Sequence, residues 1–292
     1  MWWLLIVILA NVFYALAFVI DKYIVSRALP HPIVYTFYVG ILSIGVLILI
    51  PFGFNFPSFE QLIFALLAGL AQIIGYIFLY KALHLGEVSR IIPFIGGFLA
   101  IFTFILASSF IGERLTGQQF IAFILLVVGG LILSIKKGVF FKKRFALAIL
   151  AALAFAILWV INKYLFMGAS FISAIVWIRT ATAIIALFLL IPKKNRKKIF
   201  KKTEKLKKGT VKYVISGRIL SVLGALGIYV AVFLGSVVLV NSLQGIQYVF
   251  IMILALILFK KFPKLKEQFN KEVIFQKILA IILIGIGLIL LI

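Results

Sequence analysis

An arginine deep in an apolar run is the side chain of this sequence with the most chemistry to offer. Arg179 stands about eight residues into such a run. As a helix, that puts it roughly 12 Å below the surface of a hydrocarbon layer about 30 Å thick. Every acid of the chain, Asp21, Glu60, Glu87, Glu113, Glu204, Glu267 and Glu272, falls in a loop or at the end of an apolar run. Arg179 therefore has no carboxylate at its own depth. Two roles follow: it meets a carboxylate or phosphate on a bound substrate, or it bonds backbone carbonyls and trapped water. Arg218, nearer the end of its run, is expected to snorkel to the surface.

Neutral polar residues form the next tier. Asn11 and Gln72 fall near the middle of the first and third runs, and Asn241, Ser242, Gln244 and Gln247 enter the ninth. Gln244 and Gln247 are three apart and share a helix face. Each of these either lines a cavity or joins helices through hydrogen bonds. Tyr14, Tyr38, Tyr76 and Tyr80 offer aromatic walls and hydroxyls, or else belong to the interfacial belt. Pro93 either sits in an intact helix or opens it to free carbonyls. Glu113, three residues before Thr116, suits the electrostatics of a helix start and a gating role. Asp21 with Lys22 is either a gate or an ordinary interfacial ion pair.

Familiar catalytic sets are missing from this list. The chain has no cysteine, which excludes disulfides, thiol catalysis and thiolate metal sites. His31 and His84 sit in different loops without clustered acids, the pattern of solvated histidines.

What positions these residues is a membrane. Of 292 residues 65% are hydrophobic and 13% charged, far from soluble usage. Ten apolar stretches are long enough to span, at approximately 2-22, 31-51, 61-83, 89-111, 117-135, 145-166, 171-191, 213-235, 238-260 and 273-292. Only helices satisfy backbone groups in lipid over continuous apolar runs of this kind. Thr116 with Gln119 has capping-box spacing for the start of the fifth helix. The first stretch lacks a basic leader and a small-residue cleavage site and reads as a retained span. A net charge of +23 would suggest nucleic acid in a soluble protein. Here the basic residues cluster between spans, mostly on one side, and above all from Lys193 to Lys212. The positive-inside rule makes that side cytoplasmic, with both termini outside. The Lys193 to Lys212 segment is expected to set topology and can hold anionic headgroups.

The chain also repeats itself. Val19, Ile20, Lys22, Tyr23, Ala28 and Pro51 recur without a gap as Val160, Ile161, Lys163, Tyr164, Ala169 and Pro192, with Asn162 answering Asp21. Further on, Gly75, Tyr80, Ala82, Leu85, Gly86, Val88 and Gly96 recur as Gly224, Tyr229, Ala231, Leu234, Gly235, Val237 and Gly245. Two units, 1-137 and 138-292, each hold five spans. An odd number inverts the second copy, the architecture of alternating-access carriers with a site near the midplane.

From Tyr80 onward, Ala82, Leu83, Pro93, Gly112, Glu113, Leu115, Gln118 or Gln119, Gly129 and Gly130 stand in an order that resembles the EamA repeat of the drug/metabolite transporter superfamily. The second copy departs from it, with Ser242 in place of Pro93 and LFKKFPKLKEQFNKE in place of the Gly-Glu turn. The resemblance implies an all-α membrane fold of ten helices in two inverted five-helix repeats, with the third, fourth, eighth and ninth lining a cavity. The expected function is secondary transport of a small, anionic or zwitterionic metabolite, without enzymatic activity, cofactor or metal, by a monomer or homodimer in the cell membrane. The competing reading is a membrane enzyme or flippase acting on a lipid or polyprenyl phosphate. The small multidrug exporters of the superfamily use a Glu in their first helix, where this chain offers Asn11.

Overall fold

The computed structural model describes residues 2–25, 31–85, 88–134, 143–200, 208–258 and 271–292. Among them there are twelve α-helices and no strand. In chain order they are α1 (Trp2–Val25), α2 (Pro32–Ile41), α3 (Phe59–Leu85), α4 (Val88–Phe110), α5 (Gly117–Ile132) and α6 (Lys143–Gly168). Then follow α7 (Phe171–Leu187), α8 (Lys193–Ile199), α9 (Lys208–Leu234), α10 (Val237–Ser242), α11 (Gly245–Leu258) and α12 (Lys271–Ile289). Seven helical stretches of the described residues are long and apolar enough to cross a membrane, and three shorter apolar ones are Gly117–Ile132, Val237–Ile251 and Phe275–Ile289.

Large apolar side chains such as Trp2, Leu5, Ile48, Phe56 and Phe275 point outward. So much exposed apolar surface suits lipid and not water. With apolar solvent outside, helices hold together by close packing of small residues and by polar contacts. Alanines accordingly fill the interior, from Ala10 through Ala65, Ala68, Ala151 and Ala152 to Ala231. Helix α3 packs along α6 and α1 along α9; α4 also lies on α6, α11 on α1, and α5 on α12.

Three local features depart from simple spans. The second span is α-helical only to Ile41 and continues as 3-10 turns over Leu42–Phe52. The longer rise of that geometry lets the 21 residues Pro32–Phe52 reach about 37 Å. The stretch expected as the ninth span breaks between α10 and α11, beside Ser242. There Asn241 Nδ2 donates to Val237 O and Ser242 Oγ to Leu239 O, while Gln244 Nε2 donates to Asn241 Oδ1. Side chains that bond the backbone compete with helix continuation. Helix α4, by contrast, runs unbroken through Pro93. The reading in which Pro93 opens its helix is therefore corrected: α4 stays helical through it, and the Tyr248 hydroxyl donates to the carbonyl just before it, Ile92 O, at 2.9 Å. The basic segment also contributes a helix the sequence did not announce, α8.

The fifth helix begins as its spacing indicated. Thr116 Oγ1 accepts from Gln119 N and Gln119 Oε1 from Thr116 N, at 3.3 and 3.0 Å. His31, expected to be merely solvated, caps α2 instead, with Nδ1 3.4 Å from Ile33 N and Nε2 2.7 Å from Lys198 Nζ.

Candidate functional site

Arg179 lies midway along α7 and is half-buried. Its guanidinium carbon stands 5.0 Å from the centre of the Tyr229 ring, and it interacts with the hydroxyls of Tyr14 and Tyr76 as well. These tyrosines come from α9, α1 and α3, so the cage is built by both halves of the chain. No carboxylate of the described residues joins it. The two acids whose side chains are described are committed elsewhere, Glu60 to Tyr164 and Glu113 to Ser236.

Gln72 fixes one wall. The Thr182 hydroxyl lies 2.8 Å from both Gln72 Oε1 and Ile178 O, and Gln72 Nε2 donates to the Tyr76 hydroxyl at 3.2 Å. Gln72 thus spends its carboxamide holding Tyr76 toward Arg179. The approach of α3 to α7 that permits this depends on Gly69, where a Cβ would come within 2.7 Å of Thr182 N. The other wall is α6. Trp159 and Phe166 pack on Tyr229 at 5.1 and 6.2 Å between centroids, and the buried carboxamide of Asn162 faces the Tyr229 hydroxyl.

Aromatic layers close the cage toward both ends of the bundle. On one side Tyr76 stacks on Tyr80, and Tyr80 meets Tyr35 edge-on at 4.5 Å. Arg218 covers Tyr35, 5.1 Å from its ring centre, and donates to its hydroxyl. These contacts hold Arg218 against Tyr35, in the first turn of α2. At the opposite end Phe171 and Phe166 pack on Phe233, at 5.3 and 5.8 Å. Beside them Lys163 Nζ donates to Val232 O at 3.0 Å and Gly235 O at 2.7 Å, capping α9.

Glu113 belongs to the same closure. Gly112 adopts φ +66°, which favours glycine and turns the chain so that Glu113 reaches the other half. There Glu113 accepts from Ser236 Oγ and from Val238 N, the latter at 3.3 Å. The expectation of helix-start electrostatics thus holds for a different helix, α10 and not α5, because the left-handed turn points the side chain across the interface.

The remaining sequence candidates lie apart from the cage in their described contacts. Tyr38 is exposed, and its hydroxyl donates to Ile199 O at 3.3 Å. Asn241 and Gln244 are occupied at the α10–α11 break, and Gln247 follows on α11. Asn11 is buried one turn before Tyr14, with Nδ2 donating to Val7 O. The side chains of Asp21 and Lys22 lie outside the described residues. Sequence reasoning passed over Tyr229, Asn162 and Thr182 as site residues. The repeat was the available signal, since Tyr229 answers Tyr80 and Asn162 answers Asp21.

Residues 1–135 match the profile of the EamA-like transporter family. Over those residues the chain is similar to the EamA-type members of the drug/metabolite transporter superfamily. It is a multi-pass membrane protein, and members of the family are generally transporters and not enzymes. Among solved structures 28 chains match this fold. One of them, a crystal structure of a protein, aligns over 99% of this chain and 95% of its own with a TM-score of 0.67. At 16% identity it shows the fold alone. No curated protein sequence matches.

Proposed function

We propose that this protein is a secondary carrier that moves a small metabolite with an anionic group by alternating access. The substrate's carboxylate or phosphate meets Arg179 in the tyrosine cage. One observation carries this reading: a guanidinium with five donors sits inside the bundle among phenol rings and no described carboxylate. A planar fork in such surroundings is matched by an incoming oxyanion.

Two inverted five-helix units, 1-137 and 138-292, supply the moving parts. Support comes from the packing. Exchanging α1 with α6, α3 with α9 and α4 with α11 turns the contact of α3 on α6 into that of α9 on α1, and α4 on α6 into α11 on α1. The Tyr35–Tyr80–Arg218 layer and the Phe166–Phe171–Phe233 layer are then the two doors. The basic end, with Lys193 to Lys212, faces the cytoplasm and meets anionic headgroups, and both termini face outward.

Proteoliposomes carrying the purified protein test this with labelled amino acids, nucleotide sugars and organic acids. At least one anionic compound is taken up by wild type, Arg179→Gln abolishes that uptake, and Arg179→Lys retains a fraction of it. Wild-type rates in Arg179→Gln would remove Arg179 from the site. For orientation, a reporter fused after Ile292 is active only outside the cytoplasm; activity inside reverses the topology.

A further inference from the structure

Asn162 is wholly buried on α6, and neither its Oδ1 nor its Nδ2 makes a well-formed hydrogen bond: the Tyr229 hydroxyl stands near enough to interact but is not aligned to pair with it. Buried polar atoms are rarely left so, and an exception calls for a cause. This one faces the hydroxyl of Tyr229, the ring on which Arg179 rests. Its own helix offers no relief, because Trp159 and Phe166, one turn to either side, present aromatic surface packed on that same Tyr229. Two further atoms are orphaned on the helices that build the cage. They are Thr180 Oγ1, next in sequence to Arg179, and Asn11 Oδ1, one turn from Tyr14 on α1. By contrast Gln72, on the opposite wall, has both carboxamide atoms partnered by Thr182 and Tyr76. The orphaned atoms thus lie on α6, α7 and α1, and the one residue with both carboxamide atoms unpaired, Asn162, is one tyrosine ring from the cation.

We propose that Asn162 is a specificity residue of this site, reading a hydroxyl on a substrate whose anionic end is held by Arg179. The proposal rests on the carrier reading above. A carboxamide presents one acceptor and one donor group side by side. A substrate hydroxyl answers both, donating to Oδ1 and accepting from Nδ2. An ammonium serves only the oxygen, and a methyl group serves neither. Only the Tyr229 ring separates the two recognition points, so the hydroxyl and the anionic group are joined by a short skeleton. The class is small hydroxylated carboxylates. A site built to bond a hydroxyl discriminates strongly against the analogue lacking it, because the buried amide is then left bare.

The test compares matched pairs in proteoliposomes: lactate with propionate, malate with succinate, and serine with alanine. In wild type the hydroxylated member of at least one pair has a KM about tenfold lower or better than its partner. Asn162→Leu brings the two KM values together while leaving that of the plain acid in place, a split that a purely structural role would not produce. Asn162→Ala, with the same expected outcome, stands in if the leucine variant does not reach the membrane. Equal KM values within every pair in wild type, or a preference that survives both variants, overturns the role of Asn162 and leaves Arg179 untouched. Uptake indifferent to Arg179→Gln overturns the Arg179 reading, and with it this one. Uptake of no member of any pair, while another anionic compound is carried, overturns the role of Asn162 and leaves the Arg179 reading in place.

Discussion

Replacing Gly69 by alanine should disturb both stability and transport through a displacement that can be worked out from the contact. A Cβ at this position meets Thr182 N at 2.7 Å and the Ala181 carbonyl carbon at 2.8 Å, both backbone atoms that cannot rotate away. Ordinary carbon contacts begin near 3.5 Å, so α3 must retreat from α7 by about 0.8 Å. Gln72, one turn further along α3, retreats with it. Its 2.8 Å contact with Thr182 then lengthens to about 3.6 Å, which no longer counts as a hydrogen bond. Overpacking of this kind costs about 1–3 kcal/mol, and the lost hydrogen bond about 1 kcal/mol more. Thermal melting of the purified protein in detergent measures the sum, with Gly45→Ala as the control, since Gly45 has open space around its Cβ. Gly69→Ala should melt clearly below the control and lose most uptake, because Tyr76 is no longer held toward Arg179. A shared Thr182→Val background should absorb part of the effect, as expected for coupled residues. Equal melting of Gly69→Ala and Gly45→Ala would refute the reasoning.

Two further outcomes are expected. Lys163→Met strips the cap from α9; with two charge-assisted bonds lost from a half-buried group the cost is roughly 2 kcal/mol. It should also loosen the Phe233 layer, read as faster labelling of Phe233→Cys by an impermeant thiol reagent in a chain with no cysteine of its own; unchanged melting and labelling would dismiss the clasp. At His31, partial burial and then the Lys198 ammonium hold the imidazole below its ordinary value of 6.5. An imidazolium accepts at neither nitrogen, so the cap on α2 is fully present above pH 6.5 and lost as pH falls through the lower folded value. Amide exchange over residues 31–41 should quicken in that window, and His31→Asn, which keeps an acceptor, should flatten the response. Exchange in wild type that ignores pH would exclude His31 as the cap.

Much of the architecture was legible because lipid leaves a chain few options. The length of each apolar run bounds a helix, and the described helices begin and end within a few residues of those runs. The capping box at Thr116 was readable because its bonds are local. The break in the ninth span was not, since it depends on where Asn241, Ser242 and Gln244 turn their side chains. Nor was the destination of Glu113, which a left-handed Gly112 sends to a helix more than a hundred residues away.

The site divides in the same way. That Arg179 is a cation at depth without an acid of its own follows from composition and span length, because burial of charge in lipid is costly wherever the neighbours stand. Which residues face it was beyond the reach of spacing. Tyr14, Tyr76 and Tyr229 come from three helices, and nothing in their spacing says which tyrosines turn toward an arginine on a fourth. The chain determined its solvent and its helices. Tertiary packing, through small residues that let α3 press on α7 and α1 on α9, decided which polar groups would meet and which, like Asn162, would be left without a well-formed hydrogen bond.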